Sequence, residues 1–553
     1  MRAEFRPRSP TIEGMSSTRF AVVAALAALG ACTTEQAAPV EPLAALPAPA
    51  EVVTDRFRDA EACGQCHLVA EDTAVLHDRS GANVSPVLLW RSSMMALAAR
   101  DPFYLAVFAE ELARAPAQAA VIEATCTRCH GPAGAEELAV AGGHLTFDDL
   151  VANDTPAARL ARGGVTCTLC HQIQPGNLGD ERSFTGGFEV GFGRQVFGPY
   201  VDPLTMPMQL IVDYTPTRGD HILDAALCGT CHTVIVDGPA GPVVEQATYL
   251  EWRSSAYAAG RPCQGCHVPP VDDSGQAIVT AVASFPADLS PRAPVGRHRF
   301  VGGNSYMMSI MADLTDASGG GWLNAGIPEA ELRASALHNE AHLRTAAALE
   351  VRRLDAEAFR VDVTNLTGHK LPTGYPSRRM WLHVTVTVGG EVVFESGGVD
   401  ARGSIVDATG TPVDVQPHRD EVTSPAEVQI WEAVLVDVAG ERTHRALDAR
   451  RYSKDDRILP AGFAPSPIDA ARVEAVGVVI DPTFLPGGDG VTYRVPGLTA
   501  GATIAVELQY ASVTPAVLDA IARTPTPASV RFLAPATARP PAPVVMATTS
   551  LTW

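Results

Sequence analysis

Positive charge is what this chain lacks most. Its 553 residues hold 42 Lys and Arg against 62 Asp and Glu, a formal net charge of -20. So acidic a surface repels a phosphate backbone, which excludes nucleic acid and favours a soluble partner with a basic docking face. Long apolar runs are lacking too. Beyond residue 31 no stretch approaches the ~20 apolar residues that a membrane-spanning helix requires. Cysteine is also sparse, at 11 residues, and its placement is more telling than its number.

Ten of the eleven fall into five copies of Cys-x-x-Cys-His. The copies are Cys63-Cys66-His67, Cys126-Cys129-His130, Cys167-Cys170-His171, Cys228-Cys231-His232 and Cys263-Cys266-His267. A disulfide framework or zinc knuckles would also use many cysteines. Neither demands a His directly after every second cysteine, and zinc built from pairs of pairs would not come in fives. The pattern is that of c-type haem attachment. Both thiols form thioethers with porphyrin vinyl groups, and the adjacent imidazole binds iron from one face. Five covalent haems c are expected, with His67, His130, His171, His232 and His267 as proximal ligands. No Cys-x-x-Cys-Lys variant occurs.

The eleventh cysteine reads differently. Arg19, an apolar run over residues 20–29 and Leu29-Gly30-Ala31-Cys32 follow the order of a secretory signal. The ending resembles a bacterial lipobox, which implies cleavage after Ala31 and a diacylglycerol on Cys32. Met15 would open a compact signal over residues 15–31. Thr33 stands where that resemblance associates Asp with inner-membrane retention, so the expected address is the outer membrane, on its periplasmic side or surface, with the lipid as sole anchor.

Residues 32–60, with prolines at 39, 42, 47 and 49, read as a spacer. Residues 61–349 read as a mainly α and loop domain packed on its haems, with helices expected over 87–112 and 328–351. Period-two alternation then takes over. Phe359, Val361 and Val363, then Leu382, Val384 and Val386, then Ile504, Val506 and Leu508 alternate with polar residues. Gly389-Gly390 between two such runs signals a hairpin. Residues 350–553 are expected to be an all-β domain, a β-sandwich, with 522–542 as a surface loop before a last short strand.

A haem with two axial ligands passes electrons, while one with an open face can bind substrate. The second ligand therefore decides function. His298, in a Gly-rich segment, and His369, in the Gly/Pro loop Thr-Gly-His-Lys-Leu-Pro-Thr-Gly, are the leading candidates. His144, His221 and His77 follow. His338 and His342 share one helix face, read as solvated. His383 falls on a polar strand face, and His418 and His444 lie in the same β-rich half.

One short repeat stands out. Trp90-Arg91-Ser92-Ser93-Met94-Met95 recurs as Trp252-Arg253-Ser254-Ser255-Ala256-Tyr257, suggesting duplicated helices whose tryptophans stack on porphyrins. With Gly-Val-Thr-Cys-Thr-Leu-Cys-His at 164–171, Cys-Gln-Gly-Cys-His-Val-Pro at 263–269 and His-Lys-Leu-Pro-Thr-Gly-Tyr-Pro at 369–376, it resembles a large bacterial group of multihaem cytochromes c. That group includes the tetrahaem cytochrome of ammonia-oxidising bacteria and the hydroxylamine oxidoreductase and cytochrome c nitrite reductase lineages. Where the group often has Trp-x-x-Ser-x-His, with the His as a distal ligand, this chain has Met95 and Tyr257. The resemblance implies Met95 as a thioether ligand or core filler. It implies Tyr257 as a weak ligand or packing residue beside an open iron. The expected function is electron relay between redox proteins. The alternative is an oxidoreductase acting on a small nitrogen or sulfur oxyanion, which so acidic a chain would attract poorly.

Overall fold

Each Cys-x-x-Cys-His sits on a short helix or at its end, because helical spacing puts both thiols and the imidazole on one face. These helices are Ala60–His67, Ala119–His130, Cys167–Cys170, Ala225–Gly229 and Gln264–His267. Polar side chains start three of them. Asp59 accepts from the Glu61 and Ala62 amides, Thr166 from Leu169 and Asp224 from Ala226. The computed structural model describes residues 39–69, 74–413, 415–478 and 481–553. The signal segment and Cys32 lie outside the described residues. No helix among them is long and apolar enough to cross a membrane.

Two expected helices are shorter than the periodicity suggests. The 87–112 stretch divides into Pro86–Arg91 and Pro102–Arg114, the second restarted by a proline in its first turn and an Asp101 cap. The 328–351 stretch is helical only over Glu329–Leu343, after which Ala347–Arg353 is already a strand.

The alternating segments form two sheets. Seven strands build the larger one. Arg442–Thr443, Ile430–Val436, Arg379–Val388, Thr503–Ala511 and Val544–Thr552 lie in that order. Arg451–Asp455 also pairs with Ile430–Val436, and Glu391–Ser396 with Arg379–Val388. The smaller sheet runs Ala347–Arg353, Ala358–Asn365, Gly488–Arg494, Glu421–Val422. Phe359, Val361, Val363, Val491 and Tyr493 from the small sheet share one core with Leu382, Val384, Val386, Ile504, Val506 and Leu508 from the large one. The hairpin after Val388 turns on Gly389 and Gly390, at φ 61° and 94°, values that suit glycine.

Residues 522–542 are not a surface loop. Pro527–Ala538 is a helix, with Pro527 in the first turn and Thr526 as its cap. Proline is tolerated there, since that position has no intrahelical amide bond to lose. Phe532 packs with Ala106, Met307 and Ile521 and lies 5.6 Å from Phe103, ring to ring. Helices from the β-rich half thus finish the core of the haem half, and residues 40–553 form one compact unit.

Candidate haem sites

All ten motif cysteines and all five motif histidines line one continuous, mainly apolar cavity of about 2080 Å³. A pocket for one small ligand occupies ~300–1,000 Å³, so this space suits several large cofactors. None of the ten thiols is in a disulfide.

Each motif imidazole is turned by the nitrogen it does not offer to the cavity. Nδ1–H donates to a backbone carbonyl in four cases: His67 to Val282 at 2.8 Å, His130 to Ala98 at 2.9 Å, His171 to Phe197 at 2.6 Å and His267 to Val301 at 2.6 Å. For His232 the Gln246 side chain acts on the ring. In the four with Nδ1 satisfied, Nε2 keeps its lone pair for a metal. Burial depresses all five, His130 and His232 to about 4, so they are neutral at pH 7, as ligation requires.

Two further imidazoles face motif histidines across the cavity. His298 lies opposite His171 with ring centroids 6.4 Å apart and planes 22° from parallel. His369 lies opposite His267 at 6.5 Å and 16°. An iron between two imidazoles, with bonds of ~2.0 Å and ~1.2 Å from nitrogen to ring centre, needs centroids ~6.3 Å apart. Both pairs match. Both outer rings also carry the Nδ1 support, His298 from the Gly296 carbonyl and His369 from that of Lys370, each at 2.8 Å. Burial pushes both down to about 4.

The loop bearing His369 is gripped from inside. Asn365 Nδ2 donates to the His369 carbonyl at 2.8 Å. The Lys370 amide donates to Glu251 Oε2 at 3.2 Å, and Thr373 Oγ1 to the same oxygen at 2.6 Å. Lys370 Nζ lies 2.6 Å from Asp455, which also accepts from Arg457 at 2.7 and 2.8 Å. Arg457 Nη1 lies 3.0 Å from Glu251 Oε1, an ion pair without hydrogen-bond alignment. All four charged side chains are buried. Glu251 stands directly before the second repeat and Lys370 in the Gly/Pro loop, so two distant stretches of sequence meet in one charge network.

The repeat itself has a structural counterpart. Trp90 Nε1 donates to the Val165 carbonyl at 2.9 Å, and Trp252 Nε1 to that of Arg261 at 3.0 Å. Val165 and Arg261 each stand two residues before a motif cysteine. Each indole therefore holds the strand of chain entering a haem motif, and both tryptophans line the cavity.

Other candidates fall elsewhere. His77 bonds to the Val75 carbonyl in a turn outside the cavity lining. His144 reaches Glu123 on the surface, and His221 Nε2 is taken by the Ile173 carbonyl at 2.9 Å. Neither of these lines the cavity. Met95 does, with Met94 beside it. Tyr257 lines the cavity as well, and its hydroxyl donates to the Leu366 carbonyl at 2.9 Å, next to the His369 loop. His342 corrects the reading of a solvated face. It lines the cavity 5.3 Å from the His267 ring, while His338 is exposed. Periodicity identified the face of that helix but not what the face meets.

The motifs touch one another in a definite pattern. Thiols of different motifs are close enough to influence one another, Cys63 with Cys167, Cys129 with Cys231, and Cys228 with Cys263. Cys170 and Cys231 pack on one apolar cluster with Leu169 and Leu227. Motif three thus touches motifs one and four, and motif four also touches motifs two and five. The donor set and the cavity fit haem c.

No family model matches the chain, and no curated protein does. Among solved structures it is similar to a penta-haem cytochrome c552 from Thermochromatium tepidum, at 17% identity and a TM-score of 0.48, over 90% of this chain and 99% of that one. The chain's own five motifs, and the imidazoles that face two of them, are a donor set that fits covalent haem c.

Proposed function

We propose that this protein relays electrons through five covalently bound haems c outside the cytoplasm. The observation that carries the reading is the pair of imidazole sandwiches, His171 with His298 and His267 with His369, at separations that suit one iron each. When bound, each haem supplies one-electron exchange at its iron. The chain's own residues do the rest. The motif imidazoles hold iron from one side, and His298 and His369 close two of the opposite faces against substrate. Buried walls and the Nδ1 hydrogen bonds set the potentials. The contacts between motifs support a path one–three–four–five with motif two as a branch at four. A net charge of -20 suits redox partners with basic docking faces. A diacylglycerol at Cys32 would keep the protein at the outer membrane.

A second reading keeps one observation in its favour. Among the described residues no imidazole faces His67, His130 or His232 as His298 and His369 face theirs, so an open haem acting on a small nitrogen or sulfur oxyanion is the alternative. Low-temperature EPR with magnetic circular dichroism separates the two. Only low-spin, six-coordinate haem is expected for the relay. A high-spin ferric haem that binds nitrite or hydroxylamine would replace the relay with the enzyme.

A further inference from the structure

Far from the motif cysteines, the β-rich half buries a second set of metal-binding side chains. His418 is 3% exposed at its side chain, Asp481 3%, and Asp456 and Asp489 not at all. His418 Nδ1 lies 3.0 Å from Asp456 Oδ2. That carboxylate is fixed in turn, because its Oδ1 accepts from the Glu432 amide at 2.9 Å and its Oδ2 from Gln429 at 3.2 Å. A carboxylate behind Nδ1 makes imidazole a better ligand through Nε2. Nε2 points between two more carboxylates, Asp481 Oδ2 at 3.0 Å and Asp489 Oδ2 at 3.9 Å.

The outer oxygens of those two carboxylates are occupied. Asp481 Oδ1 accepts from the Thr483 amide and hydroxyl, both at 2.7 Å. Asp489 Oδ1 accepts from the Gly490 amide at 2.7 Å and Thr483 Oγ1 at 3.3 Å. Trp431 Nε1 donates to Asp489 Oδ2 at 2.8 Å, a bond that still leaves that oxygen a lone pair. One oxygen of each aspartate is therefore turned inward, beside His418 Nε2, which lies within hydrogen-bonding distance of Asp481 Oδ2.

Three such atoms converging need positive charge among them, either a proton on His418 or a cation. Charge says which kind. Asp456, Asp481, Asp489 and Glu432 bring four negative charges, and Lys454, 3.3 Å from Asp456 and 3.4 Å from Glu432, returns one positive. Protonating His418 leaves two negative charges buried, whereas a divalent ion leaves one, and burial penalises each surplus charge. We propose that His418, Asp481 and Asp489 form a divalent transition-metal site, with zinc the ion they fit. Zinc bonds of ~2.0–2.2 Å in a tetrahedron place donors ~3.4 Å apart, between the two separations found. Calcium would want oxygen throughout. The ion would tie the segment around Asp481 to the sheet strand bearing Asp489 and to the His418 loop, as a structural staple independent of the haems.

The test uses the full-length haem-loaded protein, passed over chelating resin and analysed for metals by mass spectrometry. Porphyrin iron survives such treatment. About one zinc per chain is expected beyond the haem iron, falling below about a tenth in Asp481→Asn. That variant can still hydrogen-bond His418, and circular dichroism checks its fold. A second measurement needs no variant: stripping wild type with dipicolinate should lower its melting temperature, and added zinc should restore it. Zinc retained in a folded Asp481→Asn overturns the site. So does wild type that holds no divalent metal and does not shift with zinc.

Discussion

Asp455→Asn is the sharpest test of how the β-rich half holds His369 opposite His267. The carboxylate sits between Lys370 at 2.6 Å and Arg457 at 2.7 and 2.8 Å, all buried. Neutralising it leaves two cations with Glu251 as their only counter-charge. Breaking a buried pair from one side costs about 3–5 kcal/mol, and the acceptor oxygen that Asn retains favours the lower end. At about 2–4 °C per kcal/mol for a region near 200 residues, the β-rich half should melt roughly 6–12 °C lower. Far-UV circular dichroism reads that shift, and the Soret band reads any haem that becomes high-spin as the loop loosens. The double variant Lys370→Met with Asp455→Leu removes the pair symmetrically and keeps Arg457 against Glu251, so it should recover most of the loss. A fall of less than about 2 °C with unchanged haem spectra would show the network to be screened by water and irrelevant to His369. Acid gives an independent check. Burial alone would raise Asp455, but Arg457 and Lys370 hold it far below the carboxylate range. A depressed carboxylate stabilises fully above its unfolded value and loses that stabilisation as pH falls towards its folded one. The latch should therefore be intact at pH 5 and fail only below about pH 4, as acid titration of the melt would record.

Other outcomes follow from the same geometry. His298→Ala and His369→Ala should each convert one haem to high-spin in EPR, while His77→Ala, His144→Ala and His221→Ala leave the spectrum as it was. Trp252→Phe removes one hydrogen bond ahead of Cys263 and should cost about 1 kcal/mol of stability, measured by denaturant unfolding; no change would mean the indole only fills space. Electron transfer to a basic partner should slow steeply with added salt in stopped-flow, since charge of one sign speeds encounter only when unscreened. Cys32→Ser should release the protein from membranes on fractionation, and retention would remove the lipid anchor.

Local chemistry made one side of every haem legible. Cys-x-x-Cys-His needs only adjacent residues, so nothing distant could hide it. The opposite side depends on long-range contacts. His298 and His369 stand in glycine- and proline-rich segments that fix the backbone, and each faces a motif imidazole. His144 and His221 sit in segments of similar look but lie away from the cavity lining, with Nε2 on Glu123 and on the Ile173 carbonyl. His342 was hidden because helical spacing says which residues share a face and nothing about what covers it. The strands near Phe359, Leu382 and Ile504 announced themselves by alternation. The helix Pro527–Ala538 did not, since its prolines resemble those of a loop. The charge network of Glu251, Lys370, Asp455 and Arg457 joins residues up to 206 positions apart, beyond the reach of any local pattern.

The thiol contacts between motifs bear on how such a chain can be made. Cys63 meets Cys167, Cys129 meets Cys231 and Cys228 meets Cys263. In an oxidising compartment, thiols that close would cross-link different motifs and trap an empty shell. The shell would also have to hold about 2080 Å³ open between largely apolar walls, which water fills at a penalty. Both hazards disappear if each thiol is consumed by a porphyrin before the motifs meet. With haems bound as proposed, cofactor attachment would belong ahead of collapse, the haems serving as templates around which the chain closes.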